Sequence, residues 1–186
     1  MITKNKKNKS TYIKFNKPYG VLTSFTDPEM RPTLADYILS PGVYPAGRLD
    51  LDSEGLMILT NDGALNHRIT SPKYHLPKVY LVQIDGIPDA PSMNNLRKGP
   101  RIKGDYKTKN CMAEVIESPD IEERIKPIII TKETCWLKIT IREGKKRQVR
   151  HMTAAIGYPT LRLIRVSIGR IGLSNMNTGE WRYIQD

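Results

Sequence analysis

The run Gly47-Arg48-Leu49-Asp50-Leu51-Asp52-Ser53-Glu54-Gly55-Leu56 sets one arginine and three carboxylates between two glycines, immediately before an apolar stretch. A loop of this kind turns its polar side chains outward while the strand that follows anchors one end. That is what a positioned carboxylate needs if it is to act as a nucleophile or as an acid or base. The same residues also describe a surface turn with an exposed ion pair. Read from the loop alone, both stand, and Asp52 and Glu54 compete with Asp50 for any chemical role.

Two further segments carry groups that could complete a site. Glu143-Gly144-Lys145-Lys146-Arg147-Gln148-Val149-Arg150-His151-Met152 is a basic cluster that leaves a strand and enters a helix. Free amides at a helix start, together with Lys and Arg, can grip phosphate oxygens. Cations in a first helical turn oppose the helix dipole, so a bound anion explains them better than a plain solvated helix end does. In Lys78-Val79-Tyr80 the alternation of a strand points Lys78 and Tyr80 to one face. A tyrosine in such a place is more often core than catalytic.

The elements that must position these groups follow from periodicity and punctuation. A strand is expected at Tyr12 to Phe15, ending in the turn Asn16-Lys17-Pro18-Tyr19-Gly20, with Val21 to Ser24 as its partner. A short helix is expected around Thr33 to Leu39, and strand, loop and strand from Tyr44 to Thr60, stopping at Asn61-Asp62-Gly63. A helix at Ala64 to Thr70, a strand at Val79 to Ile84 and a helix at Pro91 to Lys98 come next. Strands at 111–117 and at Trp136 to Ile141 flank an irregular insertion, 118–134, that contains Pro119 and Pro127. A helix from Gln148 to Ile156 stops at Gly157, and strands at Leu161 to Ile168 and Trp181 to Ile184 complete the pattern. Many strands and few helices in mixed order give an α+β fold around a mixed, largely antiparallel sheet.

Composition bounds the partner. Lys and Arg number 30 against 19 Asp and Glu, a formal charge of +11, so the summed field attracts polyanions and nucleic acid leads. With no basic amphipathic helix and no long apolar run, no membrane attachment is expected. Lys4, Lys6, Lys7 and Lys9 make residues 1–10 read as a basic disordered tail ahead of one catalytic unit at 11–186. Cys111 and Cys135 are too few for a disulfide framework, and no signal-peptide pattern is seen, so a reducing cytoplasm is expected. His67, His75 and His151 lack metal-ligand spacing, and no metal is expected.

Taken in order, these segments resemble the motifs of the RsuA-type pseudouridine synthases. The resemblance runs from Tyr12 to Tyr183, through Asn16-Lys17-Pro18-Tyr19-Gly20-Val21, Gly47-Arg48-Leu49-Asp50, Ser53-Glu54-Gly55-Leu56, Leu59-Thr60-Asn61-Asp62-Gly63, Lys78-Val79-Tyr80, Glu143-Gly144 and Arg147-Gln148-Val149-Arg150. Each piece is weak alone, and the ordered set is specific. Trp136-Leu137-Lys138-Ile139-Thr140 and Pro159-Thr160-Leu161-Arg162-Leu163-Ile164-Arg165 are similar to a subgroup that acts on the large ribosomal subunit. Many relatives carry an amino-terminal S4 RNA-binding domain. Here the motifs begin almost at once, which implies that the catalytic domain itself grips the RNA.

The resemblance implies the pseudouridine synthase catalytic fold, two subdomains with flanking helices around a central active-site cleft. It implies isomerisation of uridine in ribosomal RNA, with 23S rRNA as the expected partner and no cofactor, and a monomer is expected because no heptad or evident dimer surface appears in the sequence. It selects Asp50 over Asp52 and Glu54 as nucleophile, gives Tyr80 as the active-site tyrosine, and pairs Arg150 with Asp50. A guanidinium beside a partly dehydrated carboxylate favours its charged form. Arg48 would fill the space left by a flipped base, and Leu137, Ile139 and Val149 would line the pocket. Lys78, Lys145, Lys146 and Arg147 are expected on the RNA, with Arg162 and Arg165 on its backbone. The competing class is a catalytically silent rRNA-binding or ribosome-assembly factor with the same fold. A basic DNA-binding protein is a more distant alternative, since no helix-turn-helix or zinc-finger pattern is visible.

Overall fold

In the computed structural model, which describes residues 10–130 and 132–184, the chain forms β1 (Tyr12–Lys17), β2 (Tyr44–Pro45), β3 (Glu54–Thr60), α1 (Gly63–Thr70), β4 (Lys78–Asp85) and α2 (Ala90–Arg97). It continues through β5 (Arg101–Ile102), β6 (Tyr106–Lys107), β7 (Met112–Ile116), β8 (Thr134–Ile141), α3 (Gln148–Ala155), β9 (Thr160–Ile168), β10 (Ile171–Gly172) and β11 (Trp181–Tyr183). Residues 1–9 of the expected basic tail lie outside the described residues.

The main path of the sheet runs β11, β1, β3, β9, β4, β8, β7, with β2 added on β3 and β10 on β9. Strand neighbours are antiparallel except at β3 and β9, which meet in parallel through Glu54 opposite Ile164 and Gly55 opposite Arg165. That short contact joins two antiparallel groups, each with its own apolar cluster. Ile13, Phe15, Leu34, Ile38, Met57 and Leu59 pack in the first lobe. Val82, Ile84, Leu96, Leu137, Met152 and Leu163 pack in the second. Every residue of β3 is buried, because Leu56 and Ile58 face a third cluster with Ala46, Ile69 and Ile168. A strand covered on both faces reads as a continuous apolar run, which is why Leu56 to Leu59 shows no alternation.

Gly55 sits where the lobes meet, and no other residue fits there. Its φ is +100°, and an added Cβ would stand 2.3 Å from the Arg165 carbonyl oxygen and 2.8 Å from its amide nitrogen.

Two expected elements differ in the structure. Val21 to Ser24 forms no strand, and β1 takes its partners from β3 and β11 instead. The helix at Thr33 to Leu39 is a single 3-10 turn, Leu34–Asp36. There Thr33 and Asp36 cap each other reciprocally, and the Leu34 amide donates to the Ser24 carbonyl. The short β5–β6 hairpin and β10 had no visible signal, being two residues per strand. The insertion between β7 and β8 is irregular, as its prolines suggest. It crosses to the first lobe, where Glu122 accepts from the Thr178 amide at 3.0 Å and Arg124 lies 4.2 Å over the Tyr19 ring. Among the described residues no helix is long and apolar enough to cross a membrane.

Candidate active site

Where β3 and β9 meet, a cleft of about 460 Å³ opens between the lobes, a size suited to a small organic group. The loop before β3 brings Arg48 and Asp50, β4 brings Lys78 and Tyr80, and the segment entering α3 brings Lys145, Lys146 and Arg147. The three stretches singled out in the sequence therefore line one cavity. Lys78 and Tyr80 share its wall as their alternation predicts, and a register shift between Val79 and Tyr80 against β9 bends the strand there. Tyr80 is buried; Arg48, Lys145 and Lys146 are exposed.

The Asp50 loop is held from several sides. The Ser53 amide donates to the Asp50 carbonyl at 3.0 Å, closing a tight turn, and Gly20 donates to the Leu51 carbonyl at 2.9 Å. Under the loop, Lys17 is fully buried and donates to the carbonyls of Pro18 and Val21, both at 2.8 Å. Burial pulls its pKa down to about 8, against the opposing pull of Glu54, Asp52 and Asp50. Asp50 itself keeps 32 % of its side chain exposed, so its carboxylate is open to the cleft.

The arginines are arranged differently from the expected pairing. Arg150 does not bond Asp50. It donates to the Asp52 carbonyl oxygen at 2.6 Å and lies 3.4 Å from the Asp52 carboxylate, while the charge of Asp50 acts on it through space. The guanidinium nearest Asp50 is that of Arg147, at 3.8 Å. Arg147 is engaged by Asp52, whose two oxygens accept from its two terminal nitrogens at 2.9 and 2.8 Å. Burial works against the Asp52 charge, but Arg147 and Arg150 outweigh it and hold that carboxyl below the usual range.

Arg162 and Arg165, expected on the RNA backbone, turn inward. Arg162 forms a buried fork with Glu54 at 2.9 and 2.8 Å on the other side of the β3–β9 contact. A pair of this kind is costly to break from one side, because the remaining charge is stranded. Arg165 lines the cleft but is only 4 % exposed. It donates to the Leu56 carbonyl at 2.8 Å and reaches the Arg48 carbonyl at 3.5 Å, bracing the loop. Leu137 and Ile139 are wholly buried in the second core rather than lining the cleft, which is walled by Val149, Ile141 and Leu163.

Glu143 has a role that the sequence did not reveal. It is buried and accepts from the Tyr106 hydroxyl at 2.7 Å, from the Lys109 amide at 2.9 Å and from Gln148. Gln148 in turn accepts from the Lys145 amide at 2.9 Å, so the basic loop is pinned at both ends. Its only advance sign was a carboxylate and an amide five residues apart around a glycine. Among the described residues no group of His, Cys, Asp and Glu could hold a metal ion. Burial pushes the Cys111 thiol up to about 11, away from the thiolate form.

The sequence and the fold are both similar to known proteins. The family described as RNA pseudouridylate synthase matches residues 11–155. The ribosomal large subunit pseudouridine synthase E of Vibrio parahaemolyticus is 53 % identical over 175 residues, covering 93 % of this chain and 73 % of that one. The protein of the same name from Xanthomonas campestris is 45 % identical over 175 residues, covering 91 % and 93 %. A pseudouridylate synthase crystal structure superposes with a TM-score of 0.80 at 31 % identity, over 95 % of this chain and 71 % of that one.

Proposed function

The chain belongs to the RNA pseudouridylate synthase family, and from that premise we propose that it isomerises uridine to pseudouridine in large-subunit ribosomal RNA, with Asp50 as the nucleophile. The observation that carries the reading is the carboxylate of Asp50. It is part-exposed in a cleft shared with Tyr80 and Arg48, on a loop braced by Gly20, Arg165 and Arg150.

The chemistry suits these groups. The Asp50 carboxylate attacks ribose C1′, and the C1′–N1 bond breaks with its electron pair leaving on uracil. The base turns, C5 bonds to C1′ as the carboxylate departs, C5 loses its proton and N1 ends with one. Product and substrate are isomers, so the balance calls for no redox partner. Tyr80 offers a flat face and a hydroxyl to the uracil, and exposed Arg48 can take the stacking place of the extruded base. Lys78, Lys145 and Lys146 supply positive charge for the phosphates around it. The reading implies action where ribosomal RNA is found, in the cytoplasm.

Asp50→Asn tests it. Pseudouridine formation on large-subunit rRNA should fall by about a thousandfold or more, with RNA affinity and thermal midpoint near those of the parent. Modification at the parental rate in the variant would overturn the mechanism. If the parent binds this RNA and modifies none of it, the silent RNA-binding alternative takes its place.

A further inference from the structure

The carboxylate that organises both arginines of α3 is not the nucleophile but Asp52, two residues beyond it. Asp52 stands on the first-lobe loop, Arg147 at the N-cap of the second-lobe helix α3 and Arg150 in its first turn, so these contacts join the two lobes. The same Arg147 nitrogen that bonds Asp52 at 2.9 Å lies 3.8 Å from Asp50. A movement of roughly 1 Å would bring it to hydrogen-bonding distance of the nucleophile. Arg147 is also the residue at the start of α3. It lies in the left-handed region with φ at 53°, and its side chain caps nothing, so its own backbone does not dictate where the guanidinium goes.

We propose that Asp52 is a positioning residue: its carboxylate holds Arg147 off Asp50, and with its carbonyl it fixes Arg150 beside the loop. This rests on Asp50 being the nucleophile. With the Asp52 charge present, Arg147 is shared and Asp50 keeps an oxygen open toward the cleft. With that charge removed, the nearest anions for Arg147 are Asp50 and the phosphates of the bound RNA. Of these Asp50 is already 3.8 Å away, and a guanidinium bonded to it occupies the attacking oxygen and weakens attack at C1′ while leaving RNA binding intact. An ordinary structural acid would lower stability and affinity together.

Asp52→Asn keeps the shape and removes the charge. Single-turnover assays on large-subunit rRNA should show the rate of modification lowered about ten- to a hundredfold. The Kd for the RNA should be unchanged or tighter. Asp52→Glu, which restores a carboxylate, should recover part of the rate. Because the effect passes through Arg147, the double variant Asp52→Asn with Arg147→Gln should be no slower than the slower single variant. A parental rate in Asp52→Asn, a Kd weakened in proportion to the rate, or multiplicative losses in the double variant would each overturn the inference. Thermal unfolding of each variant identifies any that fails to fold, and Arg147→Lys, which keeps the charge but loses the fork, then serves as the second probe, with the same lowered rate expected and a parental rate overturning the proposal. The Asp50→Asn test is independent. A parent that modifies rRNA and loses that activity with Asp50 upholds the nucleophile whatever Asp52 does.

Discussion

A single buried ammonium under the Asp50 loop sets a pH dependence. Lys17 is fully buried with two carbonyl oxygens as its hydrogen-bond acceptors, and its pKa falls from 10.5 to about 8. Between those values the unfolded chain binds the proton and the folded chain does not, so folding grows more favourable as pH rises through the window. Below about 8 the cost of burying the charge is fully present. Relative to Lys17→Met, the parent should therefore gain stability from pH about 8 to about 10, by at most on the order of 3 kcal/mol. Urea unfolding at the two pH values measures it, and a constant difference between the proteins would refute it. The Asp50 loop stood out as a candidate site because a polar run between glycines interrupts an otherwise apolar region, and only the ordered motifs chose Asp50 over Asp52 and Glu54. The partners of its neighbour were not, because Arg147 and Asp52 lie 95 positions apart and nothing local joins them. The same distance blindness put Arg162 on the RNA, when its partner Glu54 is 108 positions away in the core.

At the scale of elements, the β3–β9 contact is where the fold has least freedom. Gly55→Ala would force a methyl against the backbone of Arg165 in a conformation, φ at +100°, that alanine resists. Because backbone cannot yield as a side chain does, the loss should be about 3 kcal/mol or more. The urea midpoint and soluble yield check it, and a midpoint within experimental error of the parent would show that the lobes tolerate separation. Most elements were readable: the strands at β4, β8 and β9 carry β-branched runs, and α1 and α2 begin at capping aspartates, Asp62 and Asp89. The failures share a cause. A strand's partner is chosen by the whole sheet, so pairing Val21 to Ser24 with β1 relied on a proximity that the fold does not use. The turn after Pro32 likewise carries its N-terminal capping box and then stops at Asp36, short of the expected Leu39.

At the scale of the molecule, a formal charge of +11 makes RNA affinity fall steeply with salt. Exposed Lys145 and Lys146 flank the cleft mouth without bonding either aspartate. Lys145→Ala with Lys146→Ala should lower affinity for any RNA alike and reduce the slope of log K against log salt by about 2. Filter binding over a salt series checks this, and an unchanged slope would place the phosphates elsewhere. The order of the strands has a consequence for synthesis. The second lobe takes β4, β7, β8 and β9 from one continuous stretch, Lys78 to Ile168, whereas in the first lobe β3 awaits β9 and β1 awaits β11. On a translating ribosome the lobe that is made first is thus the last to close. Until Tyr183 has emerged, the edge of β1 that faces away from β3 stays unpaired on the nascent chain, open to whatever strand it meets.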